Sequence, residues 1–183
     1  MPAGPSILSG RVIPPEGGET EFADLRAAYD ALPDAKQREV AGLLAEHCLI
    51  HSRKRYGFHE FSETELKQWP PVLNPLVRRH PETGRKSLFV GSHAGRIVGM
   101  DDEAGAKLID ELIAFATQPE FVYSHHWTLG DLIMWDNRCC MHRGRMWDQQ
   151  RHKRNIKRTT VAGLGPTVVD GRPVDEYALA HAR

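Results

Sequence analysis

The chain has 183 residues, and its 24 basic and 24 acidic side chains cancel to a formal net charge of zero. That balance argues against a nucleic-acid binder or an anionic-membrane binder, both of which carry a basic excess. With 40% hydrophobic residues the chain can offset its conformational entropy, which excludes disorder as the main state. The length suits one domain with a core of its own. No apolar run approaches the roughly 18 residues of a membrane-spanning helix. The opening MPAGPSILSG has neither a basic stretch nor a long apolar one, so it does not read as a secretion signal. Cys48, Cys139 and Cys140 form no disulfide framework, and a reducing cytoplasm is the expected compartment.

In chain order, Ile7 to Ile13 reads as a strand, closed by the Pro14-Pro15-Glu16-Gly17-Gly18 cluster. Glu21 to Leu32 carries Phe22, Leu25, Ala28, Tyr29 and Leu32 at helical spacing, and Lys36 to Cys48 reads as a second amphipathic helix. Arg53 to Phe61 reads as loop. Ser62-Glu-Thr-Glu65 is a capping box that starts a short helix ending by Trp69. Val72 to His80 is extended, with Pro75 marking an edge or bend, and Ser87 to Val90 is a short strand. Glu103 to Phe115 is the clearest helix. Strands follow at Phe121 to Trp127, Leu132 to Trp135 and Lys157 to Ala162, with a Gly/Pro-bearing tail after Gly163. Strands this short, with helices bunched in two places, do not make a βαβ alternation. They fit a mainly β fold, a sandwich or jelly roll carrying helical insertions.

Chemistry-bearing side chains crowd between His125 and Arg158. His125 and His126 are strand neighbours and point to opposite faces, so they cannot easily share a metal; one core-facing and one solvated histidine is the simpler expectation. Adjacent Cys139 and Cys140 lack the paired spacing of a zinc site and read as small core or loop residues. His142 follows a strand and the polar turn Trp135-Asp-Asn-Arg138, a placement that can aim a ring nitrogen into a barrel mouth. Arg154 and Arg158 are four apart in a strand-like segment and so share a face. Two guanidiniums on an inner face need anions, and their forks grip carboxylates bidentately; an exposed basic strand face is the plainer alternative.

Taken together, His80-Pro-Glu-Thr-Gly-Arg-Lys86, Gly130-Asp131, Trp135-Asp-Asn-Arg138, His142 and Arg154-Asn-Ile-Lys-Arg158-Thr-Thr-Val161 resemble the TauD/TfdA family of Fe(II)- and 2-oxoglutarate-dependent dioxygenases. Arg11-Val-Ile-Pro-Pro-Glu-Gly-Gly-Glu-Thr20 and Phe22-Ala-Asp-Leu-Arg-Ala-Ala-Tyr-Asp-Ala-Leu32 agree with it, and the wording is nearer the 2,4-dichlorophenoxyacetate branch than the taurine branch. The resemblance runs to about Val168 and implies a domain over residues 1–168, with an unassigned tail at 169–183. It implies a double-stranded β-helix, incomplete at its N-terminus, with Fe(II) at one mouth and 2-oxoglutarate as co-substrate.

By the resemblance, His142 matches the distant histidine of the iron triad. Thr20 and Arg154 match the residues that hold 2-oxoglutarate, and Arg158 matches an arginine near the anionic group of the substrate. The implied reaction hydroxylates a small anionic substrate with O2, releasing succinate and CO2. No nucleic-acid or membrane partner is expected, and a homo-oligomer is left open. The family's His-x-Asp pair falls roughly ten residues before the segment that aligns with Pro2-Ala3-Gly4, so two of the three protein ligands of the triad are expected to be missing. Two readings follow: the C-terminal portion of such a dioxygenase, or a non-catalytic remnant of its fold. Either leaves unpaired sheet edges and an exposed apolar face, from which poor solubility is expected.

Overall fold

The computed structural model describes residues 3–163 and 165–182; Met1, Pro2, Leu164 and Arg183, which include the first residues of the Pro2-Ala3-Gly4 segment and the last of the tail, lie outside them. In chain order the elements are β1 (Ala3–Val12), β2 (Thr20–Asp24), α1 (Leu25–Ala31), α2 (Asp34–Val40), β3 (Leu44–His47), α3 (Leu49–Arg55) and α4 (Glu63–Gln68). Then come β4 (Val72–Pro75), β5 (Val77–Arg79), β6 (Lys86–Leu88), β7 (Ala94–Ile97), α5 (Asp102–Ala116), a short 3-10 turn, β8 (Val122–His125), β9 (Leu132–Asp136) and β10 (Cys140–Gly144). β11 (Asn155–Ala162), the ribbon β12 (Val168–Val169) with β13 (Arg172–Pro173), and α6 (Glu176–His181) complete the chain. Among the described residues no helix is long and apolar enough to cross a membrane.

Two antiparallel three-stranded sheets, ordered β11-β1-β9 and β10-β2-β8, form the body that carries the site. Aromatic side chains join them: the Trp135 ring of β9 lies 5.3 Å from Phe22 of β2 and 4.7 Å from His142 of β10. A third sheet, β4-β3-β7, and the β5-β6 hairpin belong to the inserted segment between β2 and β8. The main apolar core is there too. Leu25, Tyr29, Leu76, Leu88, Ile97, Leu108, Ile109 and Leu112 pack α1 and α5 against these short strands.

The structure moves several expected boundaries. The segment expected to be helical from Glu21 is strand up to Asp24. Phe22 and Ala23 are buried within the sheet, and the Asp24 carboxylate accepts from Arg26 N and Ala27 N, so the helix starts at Leu25. The helix expected over 36–48 stops at Val40; Gly42 takes a left-handed φ of +76° and Leu44–His47 turns into a strand between β4 and β7. Residues 49–55, expected partly as loop, are helical. Strand pairing thus overrides a helical apolar period twice. The capping box forms as expected, with Glu65 N donating to Ser62 Oγ and Ser62 N to Glu65 Oε2.

Asp136 joins the two parts of the molecule. It accepts from Arg138 N, Nε and Nη2 at 2.8, 2.9 and 2.6 Å, and contacts His80 Nε2, just beyond β5, at 3.0 Å. The adjacent Asn137 donates to Gly4 O and Ser6 Oγ on β1 and accepts from Trp135 Nε1 at 2.9 Å. Asp136→Ala removes the partly buried anion of Arg138 and His80 and leaves them only the more exposed Glu82. We expect a loss of about 3 kcal/mol, read from urea unfolding, with Asp136→Asn losing less.

One face of the β11-β1-β9 sheet presents Ile7, Leu132, Met134 and Val161, with Leu132 70% and Met134 69% exposed. Replacing Leu132 and Met134 by Lys is expected to raise the concentration at which light scattering reports a single species; no change would remove this face as the source of association.

Candidate active site

The Gly17–Gly18 turn builds one end of the site. Both glycines sit at left-handed φ, +71° and +72°. A Cβ on Gly18 would stand 3.0 Å from the Cδ and Nε of Arg154, and one on Gly17 would stand 2.6 Å from the Met146 carbonyl. Only glycine allows both the turn and the approach. Arg154 Nε donates to Gly18 O at 2.9 Å, and its Nη2 reaches Thr20 Oγ1 at 3.4 Å. Thr20 is buried, and Trp127 Nε1 donates to its hydroxyl at 3.0 Å. Among the described residues Arg154 makes no ion pair within 4 Å. Burial pulls its guanidinium downward, and Glu19 only partly opposes this. A partly buried cation with spare donors is the arrangement that takes a carboxylate.

His142 lies opposite Phe22 in the β10-β2 register, and Thr20 is two residues from Phe22 on the same face. The sheet therefore places the imidazole and the Thr20–Arg154 pair on one surface. Burial first, then the positive charge of Arg158 and the neighbouring His93, lower the basicity of His142. The shift favours the neutral imidazole, the state that ligates a metal. Arg158 pairs with Leu8 and Thr160 with Ser6, so Arg158 stands on the same face of its sheet as Trp135. Arg154 precedes the first residue of β11, so the two arginines do not share one strand as expected, although both charges serve the same side of the body.

A cavity of about 580 Å³ opens beside His142, within the range of small-molecule sites. His47, Trp69, Asn74, Phe89, His93 and Cys140 are among its walls. Of these the sequence singles out only Cys140, on β10, as a small core or loop residue. The others come from β3, α4, β4 and β6–β7, segments whose shared wall exists only after the inserted sheet has formed. His47 stacks on Phe89 at 5.2 Å, and its Nε2 is buried without a partner.

The remaining candidates separate cleanly. His125 contacts Asp131 Oδ2 at 2.9 Å, whereas His126 is largely solvated beside Glu19. Cys139 is buried and Cys140 lines the cavity. His80, Asp136 and Cys139 do bring one ligand atom each within 4.8 Å of one another. Asp136, however, is committed to Arg138 and His80, whose hydrogen bonds outweigh the effect of burial and hold its carboxyl well below the usual range. His142 lies outside this group. Among the described residues, then, His142 is not grouped with two further ligand-type side chains as a facial triad needs. The residues present do not by themselves fit a facially held Fe(II).

The comparisons with known proteins decide the family. The sequence profile described as "Taurine catabolism dioxygenase TauD, TfdA family" matches residues 1–160. The chain belongs to this family. It is 51% identical over 158 residues to the alpha-ketoglutarate-dependent 2,4-dichlorophenoxyacetate dioxygenase of a Burkholderia species, covering 86% of this chain and 53% of that protein. It is 41% identical over 182 residues to the (S)-phenoxypropionate/alpha-ketoglutarate-dioxygenase of Sphingobium herbicidovorans, covering 96% of this chain and 60% of that protein. The chain thus spans about half the length of the curated relatives it matches. Among solved structures, AAD-2 in complex with Mn(II) and N-oxalylglycine superposes with a TM-score of 0.89 at 52% identity, over 92% of this chain and 67% of that one. A taurine dioxygenase from Burkholderia xenovorans superposes with a TM-score of 0.77 at 34% identity, over 94% of this chain and 56% of that one. The two three-stranded sheets are therefore those of a TauD/TfdA jelly roll.

Burial first, then His93, Arg78 and His51, pull the His47 imidazole down to about 4 from its ordinary 6.5. The unfolded chain binds the proton more readily, so stability is full above pH 6.5 and falls as pH drops through 4. The expected loss over that window is on the order of 3 kcal/mol. Melting temperatures from pH 7 to 4 should show the decline, with a flatter profile for His47→Leu.

Proposed function

We propose that this chain provides the co-substrate clamp and the substrate cavity of an Fe(II)/2-oxoglutarate-dependent dioxygenase acting on a small anionic, aromatic-acid substrate. The overall conversion is R–H plus 2-oxoglutarate plus O2 to R–OH plus succinate plus CO2. The observation that carries this reading is the partly buried Arg154, held by Gly18 O and Thr20 Oγ1 and unpaired among the described residues.

In this reading Arg154 takes the distal carboxylate of 2-oxoglutarate, and Thr20 adds its hydroxyl. Trp127, donating to Thr20, sets which way that hydroxyl faces. Arg158 offers its charge to the anionic group of the substrate, while Phe89, Trp69 and His47 provide an apolar wall for a ring. The names of the relatives that act on phenoxy acids favour a phenoxyalkanoate. His142 supplies one metal ligand, and no chemical step is assigned to iron held by it alone. The setting is the cytoplasm, with the small substrate and O2 as partners.

Calorimetric titration of the chain with N-oxalylglycine tests the clamp. We expect saturable binding, weakened at least tenfold by Arg154→Ala and a few-fold by Thr20→Val. No binding to the unaltered chain would overturn the proposal. The single iron ligand favours a second reading, a fold that binds a dicarboxylate without turnover. Anaerobic Fe(II) titration separates the two: tight binding with a visible absorption band that needs 2-oxoglutarate would sink the second.

A further inference from the structure

The tail beyond residue 160 lies outside the segment matched by the family profile, yet it is bound tightly to the rest of the chain. Arg78 on β5 and Glu176 on α6 form a bidentate pair, with Nε to Oε2 at 2.8 Å and Nη2 to Oε1 at 2.7 Å. The pair is withdrawn from water, its side chains only 3% and 13% exposed. The Arg78 guanidinium lies 4.3 Å above the Phe89 ring, and Phe89 in turn stacks on His47. Thr167 Oγ1 donates to Asn74 Oδ1 at 2.7 Å, both residues being buried. Phe89, His47 and Asn74 all line the cavity beside His142.

We propose that the segment from Thr167 to Glu176 is a specificity clasp, and that Glu176 and Thr167 are positioning residues for the aromatic wall of the substrate cavity. Arg78 is a buried cation whose Nη1 finds no partner among the described residues. Its guanidinium carbon stands 4.3 Å over the Phe89 ring while Glu176 fixes two of its nitrogens. A guanidinium held in a fork cannot swing, and a ring under it is kept at one tilt. Asn74, a few residues earlier, is fixed in the same way by Thr167. The half-exposed Arg85–Asp30 pair lies outside both this segment and the cavity walls, so it serves as the internal control.

The inference rests on the cavity being the substrate site, and the test keeps the two claims apart. Quenching of tryptophan fluorescence gives affinities for 2,4-dichlorophenoxyacetate and, separately, for 2-oxoglutarate. Glu176→Gln is expected to weaken the aromatic acid about tenfold and leave 2-oxoglutarate within twofold. Asp30→Asn, which removes the exposed Arg85 pair, should change neither. An equal loss for both ligands, or none for the aromatic acid, would overturn the clasp.

If the unaltered chain binds no phenoxyacetate, the substrate reading fails and hydrogen exchange decides the clasp alone. Glu176→Gln should then lose protection in residues 72–79 and 86–90. Loss confined to 165–182 would reduce the tail to a simple anchor. Should Glu176→Gln unfold the chain, Thr167→Val carries the same tests, with an expected three- to fivefold loss for the aromatic acid.

Discussion

A carboxylate taken partly out of water must find its charge a partner, and Asp136 finds two, in different parts of the molecule. Arg138 is its neighbour in sequence, and His80 lies at the far end of the inserted hairpin. Because the same four residues also send Trp135 between the sheets and Asn137 onto β1, the turn after β9 fixes several relations at once. The β5-β6 hairpin cannot slide without breaking His80 from Asp136, and β1 cannot shift register without losing Asn137. The cavity between those elements has its shape because both are pinned to one short turn.

The apolar core lies apart from the Thr20–Arg154 end of the site, although the cavity walls at His47, Asn74 and Phe89 belong to the inserted segment that carries it. Leu, Ile and Ala side chains of α1, α5 and the inserted strands supply most of the fully buried surface. Between the two larger sheets the side chains are fewer and more polar: Ser6, Thr20, Phe22, Trp135 and His142. Burial stabilises in proportion to apolar area, so the inserted segment contributes most of the hydrophobic free energy and the jelly-roll interior contributes positioned functional groups. Arg154, Arg158 and a neutral His142 can be tolerated there because the interior does not have to act as an oil-like core.

Much of this was legible in the sequence, and the exceptions have a common cause. The capping box, α5, β9 and β11 were readable because their signals are local: a Ser-x-x-Glu spacing, a helical apolar face, a short apolar run after a Gly-Asp turn. Thr20, His142, Arg154 and Arg158 were expected as site residues from ordered motifs, and the fold places Thr20 and Arg154 in contact. Leu44–His47 escaped because its apolar spacing fits a helix as well as a strand, and its pairing partners lie about 30 and 50 residues away. The cavity walls at His47, Asn74 and Phe89 escaped for the same reason: each is unremarkable in its own segment, and what they share is a tertiary surface.

The separation of core from site also bears on how such a protein can change. Where binding side chains double as the hydrophobic core, each substitution that alters specificity also spends stability, and few routes stay open. Here the Thr20–Arg154 pair hangs from a frame stabilised by others. Wall residues outside the core, such as Trp69 and His93, can be exchanged with modest thermodynamic penalty, whereas Val90 belongs to core and wall at once and ties recognition to stability there.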